Sequence, residues 1–456
     1  MENGKRKILN LKFSTFRFHF PLLTGEFRLK RKLRIAINAQ IPLGSGTGGI
    51  ETVLRILTSL GQLDGDEEYI FIGHWSEPDW LKPFLSERQT IVRAPPPAQQ
   101  HKSNQTKTLK RLMGPLRPLA RGIKRFIVPP PPKVNINVPS SDGFYENLNC
   151  DVIHFPYQDY VYCRVPTVYN PHDLQHLHYP EFFAAEEIQR REIVYPAACR
   201  AAHTVVAASQ FVKQDVMQRY GISADKIQVV PWSPPETALN EFTEKDVISL
   251  FEKYECPPHP FILYPAMTWE HKNHIRLLEA VHLLREREEL KINVICTGHK
   301  NAFYPRIEQR LCELKLEEQI KFTGVVTSEE LSLLYRQAQF VIVPTLFEAA
   351  SAPLFEAWQH GVAVTCSSVT SLPEQAAGAA LFFNPFSIEE IADAIKTMTS
   401  DETLRAEFRS RGFRRLQDFD IERTAKAYRA VYRKAAGVAL DDEDLHLLNW
   451  DWMRGS

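Results

Sequence analysis

FVIVPTLFEAASAPLFEAWQHG, residues 340–361, is the stretch on which the reading of the fold turns. Its first four residues form a short apolar run of the kind found in a strand buried on both faces, and Pro344 ends the run. Pro353 suits the first position of a helix, so Ser351 or Ala352 is expected to cap it. The backbone amides of Ala350, Ser351 and Ala352 are then expected to be free for an anion at the helix N-terminus. Glu348 and Glu356 lie eight positions apart, one in the loop and one about a turn into the helix, so they do not pair as acid and base on one helix face. They would reach different parts of one ligand. Sugar hydroxyls suit them, because an ionised carboxylate accepts hydrogen bonds and repels phosphate. A glutamate chosen at random is usually a solvated surface residue. Their place beside a strand end sets these two apart.

The same alternation of strand and helix extends in both directions. FILYPA, INVICTG, IKFTG, VAVTC and ALFFN are separated by helical patterns on one side, and LRIAINA, YIFIG, DVIHF, PTVYN, TVVAAS and IQVVPW recur earlier in the chain. Such alternation predicts an α/β protein made of two tandem, doubly wound Rossmann-like domains. A proline-rich, polar stretch interrupts the two series. The expected organisation is a basic N-terminal extension over 1–30 and a first domain over 31–235, the latter carrying a basic insertion at 88–141. A linker over 236–258, a second domain over 259–412, a closing helix within 413–436 and a loosely held acidic tail over 437–456 follow.

Two further segments sit at strand ends, where open α/β sheets bind ligands. Gly44 to Gly49 form a glycine-rich loop between the first strand and its helix, which lets backbone amides converge on phosphate. Its spacing matches neither the dinucleotide fingerprint nor the Walker loop. A plain tight turn is the competing reading. AMTWEHKNH follows FILYPA and brings Lys272, a compact charge suited to a diphosphate, to the edge of the second domain.

Composition removes several classes of function. Lys plus Arg and Asp plus Glu each total 55 among 456 residues, so the net charge is zero and no global field recruits nucleic acid. Seven cysteines without a C-x-x-C pair argue against a zinc ribbon or a disulfide framework and fit a reducing cytoplasm. No run approaches the roughly 18 apolar residues of a membrane span, and the charged N-terminus differs from a secretory signal. HDLQHLH offers His172 and His176 at helical spacing, but Pro171 and Pro180 flank them closely and no further ligand completes a metal set. No metal is expected. Charge is nonetheless segregated: 88–141 holds eleven Lys and Arg and no Asp or Glu. Within it, 102–127 is basic and amphipathic, which fits either packing as a core or lid element or peripheral contact with an anionic membrane at the inner face.

Taken together, these segments resemble the GT-B fold of retaining glycosyltransferases, specifically glycosyltransferase family four, over about residues 33–436. Glu348, Pro353, Glu356 and Gly361 follow that family's paired-glutamate motif, and IKFTGVVTSEELSLLYRQA and SSVTSLPEQAAGAALFFNP are similar to its flanking signatures. The resemblance implies a metal-independent transferase with no cofactor, moving a hexose of the mannose or glucose type from a nucleotide-diphosphate sugar such as GDP-mannose to a glycan or lipid-linked acceptor. It further implies Glu356 on the ribose, Glu348 near the donor sugar and Lys272 on the diphosphate. Gly48, Gly49, Thr323, Gly324, Ala350, Ser351 and Ala352 would surround the nucleotide. His172, in PTVYNPHDL, would stand near the reacting carbon, and the last helix would pack back on the first domain. Two features depart from the family pattern: Ala349, Ala350, Ser351 and Ala352 stand where glycines are usual, and Met267 stands where many members carry an arginine. His271 is the candidate to supply the missing charge. A catalytically weakened nucleotide-sugar-binding scaffold is the alternative reading, as is another enzyme on this architecture such as a phosphorylase or an epimerase.

Overall fold

The computed structural model describes residues 32–41, 48–96, 136–234 and 242–452, excluding the side chains of residues 48–51. The N-terminal extension, residues 42–47 of the glycine-rich loop and the basic stretch 102–127 lie outside the described residues.

Among the described residues, thirteen strands form two parallel sheets. In chain order they are β1 (Arg34–Ala39), β2 (Glu68–Gly73), β3 (Gln89–Arg93), β4 (Val152–Phe155), β5 (Thr167–Tyr169), β6 (Thr204–Ala207) and β7 (Ile227–Val229). The second series is β8 (Ile262–Pro265), β9 (Val294–Thr297), β10 (Ile320–Gly324), β11 (Phe340–Val343), β12 (Val364–Ser367) and β13 (Leu381–Phe383). The orders are β3-β2-β1-β4-β5-β6-β7 and β10-β9-β8-β11-β12-β13, so each sheet reverses direction once, at β1/β4 and at β8/β11. Both sheets are buried on both faces, which is why their strands read as continuous apolar runs. Along β1, Ile35 and Ile37 enter one core cluster while Ala36 enters another. Along β8, Ile262 and Tyr264 face one cluster and Leu263 the opposite one.

Several boundaries differ from the expectation. The segment at 88–141 begins with β3, which pairs in parallel with β2. QTIVR is polar enough to be taken for insertion, because an edge strand needs only a partly buried face. The linker contains the capped helix Glu244–Tyr254, which buries Leu250 against the second sheet. A boundary at 413 would cut the helix Glu402–Leu416, which packs on the helix Ala352–Gln359. Gly412 is required there: a Cβ at this position would fall 2.2 Å from Trp358 Cδ1.

The acidic tail is anchored. Asp441 caps the helix Asp442–Asn449, Leu447 and Trp452 are buried, and Arg433 reaches Asp444 at 2.9 Å and Glu67 at 2.6 Å. Asp441, Glu443 and Asp444 pair with cations of the preceding helix, Arg433, Lys426 and Arg429.

That preceding helix, Ile421–Ala435, lies in the core of the first sheet, where Tyr428 and Tyr432 enter a buried polar network. His154 Nδ1 lies 2.8 Å from the Tyr432 hydroxyl and Nε2 lies 2.9 Å from Asn170 Oδ1, while Asn170 Nδ2 donates to the Tyr428 hydroxyl at 3.2 Å. The network assigns the imidazole proton to Nε2, with Nδ1 accepting from Tyr432. Burial pushes the His154 pKa down to about 3, so the ring stays neutral.

The unfolded chain takes up a proton on this histidine near its ordinary value, and the folded chain does not until far lower pH. The stability linked to His154 is therefore complete above about pH 6.5 and is lost as pH falls toward 3. Replacing His154 by Gln should remove about 2 kcal/mol of the stability lost between pH 6.5 and 5, at about 1.4 kcal/mol per pH unit. Urea titrations of both proteins at the two pH values measure this; equal losses would contradict it.

Candidate active site

The β8/β11 reversal brings together two loops that are far apart in the chain. Leu346 N–H donates to the His271 carbonyl at 2.7 Å, and the Thr345 hydroxyl donates to the same oxygen at 3.1 Å. Asn273 Nδ2 donates to the Pro344 and Pro385 carbonyls, each at 2.9 Å, and the Tyr264 hydroxyl donates to the Lys272 carbonyl at 2.7 Å. A left-handed backbone at Asn273, with φ 61°, turns the chain into the helix His274–Glu288. The β8 loop is also held from β9: at Gly298, φ is 114° and a Cβ would approach the Ala266 carbonyl carbon to 2.7 Å.

This stitching aligns Lys272 with Glu348, and Lys272 Nζ donates to Glu348 Oε1 at 2.5 Å. Glu348 is held by its backbone as well. Its N–H donates to the Thr370 hydroxyl at 3.0 Å, and its carbonyl accepts from the Ser371 hydroxyl at 2.8 Å. Thr370 itself has φ 52°, a conformation unusual for a β-branched residue and one that marks a locally over-determined site. Burial pushes the Glu348 carboxyl above the usual carboxylate range, while the Lys272 ammonium pulls it back and Asp173, from the first sheet's side, adds to the rise.

Glu356 lies within the helix Ala352–Gln359, and its Oε2 accepts from the Tyr335 hydroxyl at 2.6 Å. Burial raises its pKa too. Tyr335 stacks on His360 at 5.0 Å, and His360 Nε2 lies 2.7 Å from the Ser332 hydroxyl, so the carboxylate rests on a braced ring. The amide of Ser351 differs from the expectation. It donates to Gln375 Oε1 at 2.8 Å, while Gln375 Nε2 donates back to the Ser351 carbonyl at 2.8 Å, so this amide is not open to an anion. The Ser351 hydroxyl makes no cap bond and is buried without a partner. Ala350 and Ala352 flank the clamp, leaving Ala352 at the first turn of the helix.

Thr323 and Gly324 end β10, where Gly324 has φ 77° and open space around its Cα. Gly48 and Gly49 open the helix Gly48–Thr58 after β1. His172 stands beyond β5 with φ 62°, and its Nε2 lies 2.7 Å from the Pro156 carbonyl. That bond puts the proton on Nε2, and burial lowers the ring's pKa, leaving a neutral imidazole with an acceptor at Nδ1. His271 does not supply the charge missing at Met267, because burial and the neighbouring Lys272 hold its pKa well below the ordinary value. His176 is separate from His172: it packs against Phe183 and Tyr195. Among the described residues no group of three His, Cys, Asp or Glu could hold a metal ion.

The two sheets meet over the Glu348 loop. The Tyr179 hydroxyl donates to the Leu346 carbonyl at 3.3 Å, Phe211 N–H donates to Glu374 Oε1 at 3.1 Å, and His178 and Phe211 flank the Phe347 ring. Tyr335, Gln375, Thr370 and Tyr179 were not singled out by sequence reasoning. An aromatic at helical spacing reads as core, and a polar residue that grips a distant backbone leaves no periodic signal.

Two family models divide the chain at this cleft. "Glycosyltransferase Family 4" matches residues 47–232, and "Glycosyl transferases group 1" matches residues 249–415. The chain belongs to the GT-B glycosyltransferases of family four. Among its relatives, "O-antigen chain mannosyltransferase B" of Escherichia coli is 25% identical over 298 residues, covering 60% of this chain and 75% of that protein. "Serotype-specific mannosyltransferase WbdA" of the same organism is 28% identical over 232 residues, covering 49% of this chain but only 28% of its own length. The fold matches that of Anabaena Alr3699/HepE, solved with UDP and glucose, with a TM-score of 0.61 at 16% identity, covering 88% of this chain and 99% of the other. A Rickettsia africae glycosyltransferase matches with a TM-score of 0.60 at 16% identity, covering 89% and 98%.

The pairing of Lys272 with Glu348 can be tested in this glycosyltransferase without substrate. Lys272→Met leaves a buried carboxylate without its cation and should cost about 1–3 kcal/mol. Adding Glu348→Gln should recover at least half of that loss. Urea unfolding of the two single variants and the double variant gives the coupling; strict additivity would count against the pair.

Proposed function

We propose that this glycosyltransferase moves a mannosyl group from a nucleotide-diphosphate mannose to a hydroxyl of a glycan acceptor, with retention of configuration and without a metal or other cofactor. The observation that carries the reading is the partly buried Lys272–Glu348 pair at the strand reversal, beneath the cleft where the two sheets meet. The mannosyltransferase names of the relatives support the sugar, and the UDP and glucose bound to a structural neighbour support a nucleotide donor.

In this mechanism the bond between the sugar's anomeric carbon and the diphosphate oxygen breaks, and the acceptor oxygen bonds to that carbon from the same face. The acceptor proton leaves with the diphosphate. Lys272 stabilises the departing charge, exchanging Glu348 for phosphate oxygens, and the amide of Ala352 contributes the end of a helix dipole. Glu348 and the neutral His172 orient the sugar through its hydroxyls, and Glu356, braced by Tyr335, accepts from the ribose. Gly48, Gly49, Thr323, Gly324 and Ala350 surround the nucleotide through their backbone, while the Ser351 backbone stays clamped to Gln375. Neither glutamate acts as a glycosidase-type nucleophile. Exclusion of water by the closed cleft favours transfer over hydrolysis.

A weakened binding protein of the same fold is the second reading. It is favoured by the Ser351 amide already held by Gln375 and by the uncharged His271. Acceptor-dependent release of nucleotide above background would reject it.

Thermal unfolding against GDP, UDP, ADP and their sugar conjugates tests the donor site, because a ligand at 100 times its Kd stabilises by about 2.7 kcal/mol. One nucleotide family should raise Tm, and Glu356→Ala should abolish the rise. No shift with any nucleotide in folded protein would move the weight to the second reading.

No helix among the described residues is long and apolar enough to cross a membrane. Work at the cytoplasmic face, on a glycan or lipid-linked acceptor, is part of the proposal, with 102–127 touching anionic lipid at about 1 kcal/mol per basic residue. The protein should pellet with phosphatidylserine vesicles at low salt and be released at high salt. Absence of pelleting at low salt would remove the membrane contact.

A further inference from the structure

Beside the loop that carries Lys272, the structure holds a cavity of ≈ 550 Å³, within the range of about 300–1,000 Å³ typical of small-molecule sites. Its walls come from both sides of the cleft: Gln175, Phe182 and Phe183 from the segment after β5, and Trp269, Glu270 and Phe303 from the second sheet's loops. Thr323, Gly324 and Glu356, which the donor reading assigns to the nucleotide, are not among its lining residues.

Three features of this cavity point to a ligand. Trp269 is 47% exposed, a large apolar surface left uncovered on a loop otherwise fastened to its neighbours. Phe182 stacks on Tyr179 at 5.1 Å, and Phe183 is covered by the Arg191 guanidinium at 4.5 Å, so the opposing aromatic wall is rigid. Gln175 is only 8% exposed, and its Nε2 is a buried donor with no partner although it lines the cavity. A buried amide without a hydrogen bond costs stability unless a ligand or water satisfies it.

We propose that this cavity binds a pyranose ring of the acceptor glycan. A sugar ring has one face of C–H groups, which packs on an aromatic plane such as Trp269, and a rim of hydroxyls. Those hydroxyls donate to the Glu270 carboxylate and accept from Gln175 Nε2 once that side chain turns toward the ligand. A lipid chain would leave the Gln175 amide unsatisfied and bury Glu270 against hydrocarbon, so it fits the lining poorly. The inference rests on the transferase reading for the identity of its ligand, and it adds an acceptor subsite that straddles the cleft. Closure of the two sides would then both hold the acceptor and shut out water.

Titration calorimetry with an α-mannosyl tetrasaccharide, in the presence of the nucleotide that raises Tm, tests it. Trp269→Ala should raise the Kd of the tetrasaccharide about ten-fold, the equivalent of about 1.4 kcal/mol. Trp269→Phe should restore most of the affinity, and both variants should keep the nucleotide-induced rise in Tm. Unchanged tetrasaccharide affinity in Trp269→Ala, or no binding to the wild-type protein, would overturn the proposal. Loss of the nucleotide shift in Trp269→Ala would overturn it also, by giving the cavity to the donor, as would Trp269-dependent binding of polyprenyl phosphate in place of the sugar. Absence of any nucleotide shift in the wild type, with tetrasaccharide binding still dependent on Trp269, would sink the transferase reading and leave the sugar site standing.

Discussion

The parallel pairing of β8 with β11, in which Phe340 sits opposite Ile262 and Val341 opposite Leu263, is the constraint on which the site depends. Strands adjacent in space but separated by two intervening strands in the chain leave a crevice where their loops diverge to opposite faces of the sheet. In this protein the crevice is closed at its base by the hydrogen bonds from Leu346 and Thr345 to the His271 carbonyl and from Asn273 to Pro344. Lys272 and Glu348 meet because the backbones that carry them are fastened together. The ion pair follows from the topology.

The same economy governs the first sheet. His154, Asn170, Tyr428 and Tyr432 form a fully buried chain of hydrogen bonds that fastens the helix Ile421–Ala435 to the ends of β4 and β5. Asn170 is two residues from His172, so the network that holds the closing helix also sets the turn on which His172 sits. A buried polar chain is costly unless every member is satisfied, and here each finds its partner. Stability and placement of the candidate site are therefore coupled through one helix, which begins just after the chain leaves the second sheet's core at Phe419.

Charge in the cleft is sparse. His271 and His172 are neutral, Ser351 has lent its amide to Gln375, and Lys272 is paired with Glu348. An anionic ligand at the Glu348 loop would meet a Lys272 already engaged by a carboxylate, so its binding there depends on exchanging one partner for another. The alanines at 349, 350 and 352 fit this arrangement, since Ala349 packs against the first sheet's core, where a glycine would leave space.

Sequence alone determined the two α/β layers, the strand ends at which ligands gather, and the candidacy of Glu348, Glu356 and Lys272. Those properties follow from periodicity and from local turn chemistry, which are written in neighbouring residues. The strand β3 carries no clear sequence signal because an edge strand needs only part of its surface apolar, and the anchoring of the tail carries none because its acidic residues pair with cations of another helix. Tyr335 under Glu356, Gln375 on the Ser351 backbone, and Thr370 and Ser371 behind Glu348 were decided by tertiary structure alone. Each acts through a contact between residues 21 to 24 positions apart, and the interaction energy resides in a distance that no local pattern records. The protonation states of His172 and His271 belong to the same class, because burial is a property of the fold and not of the residue.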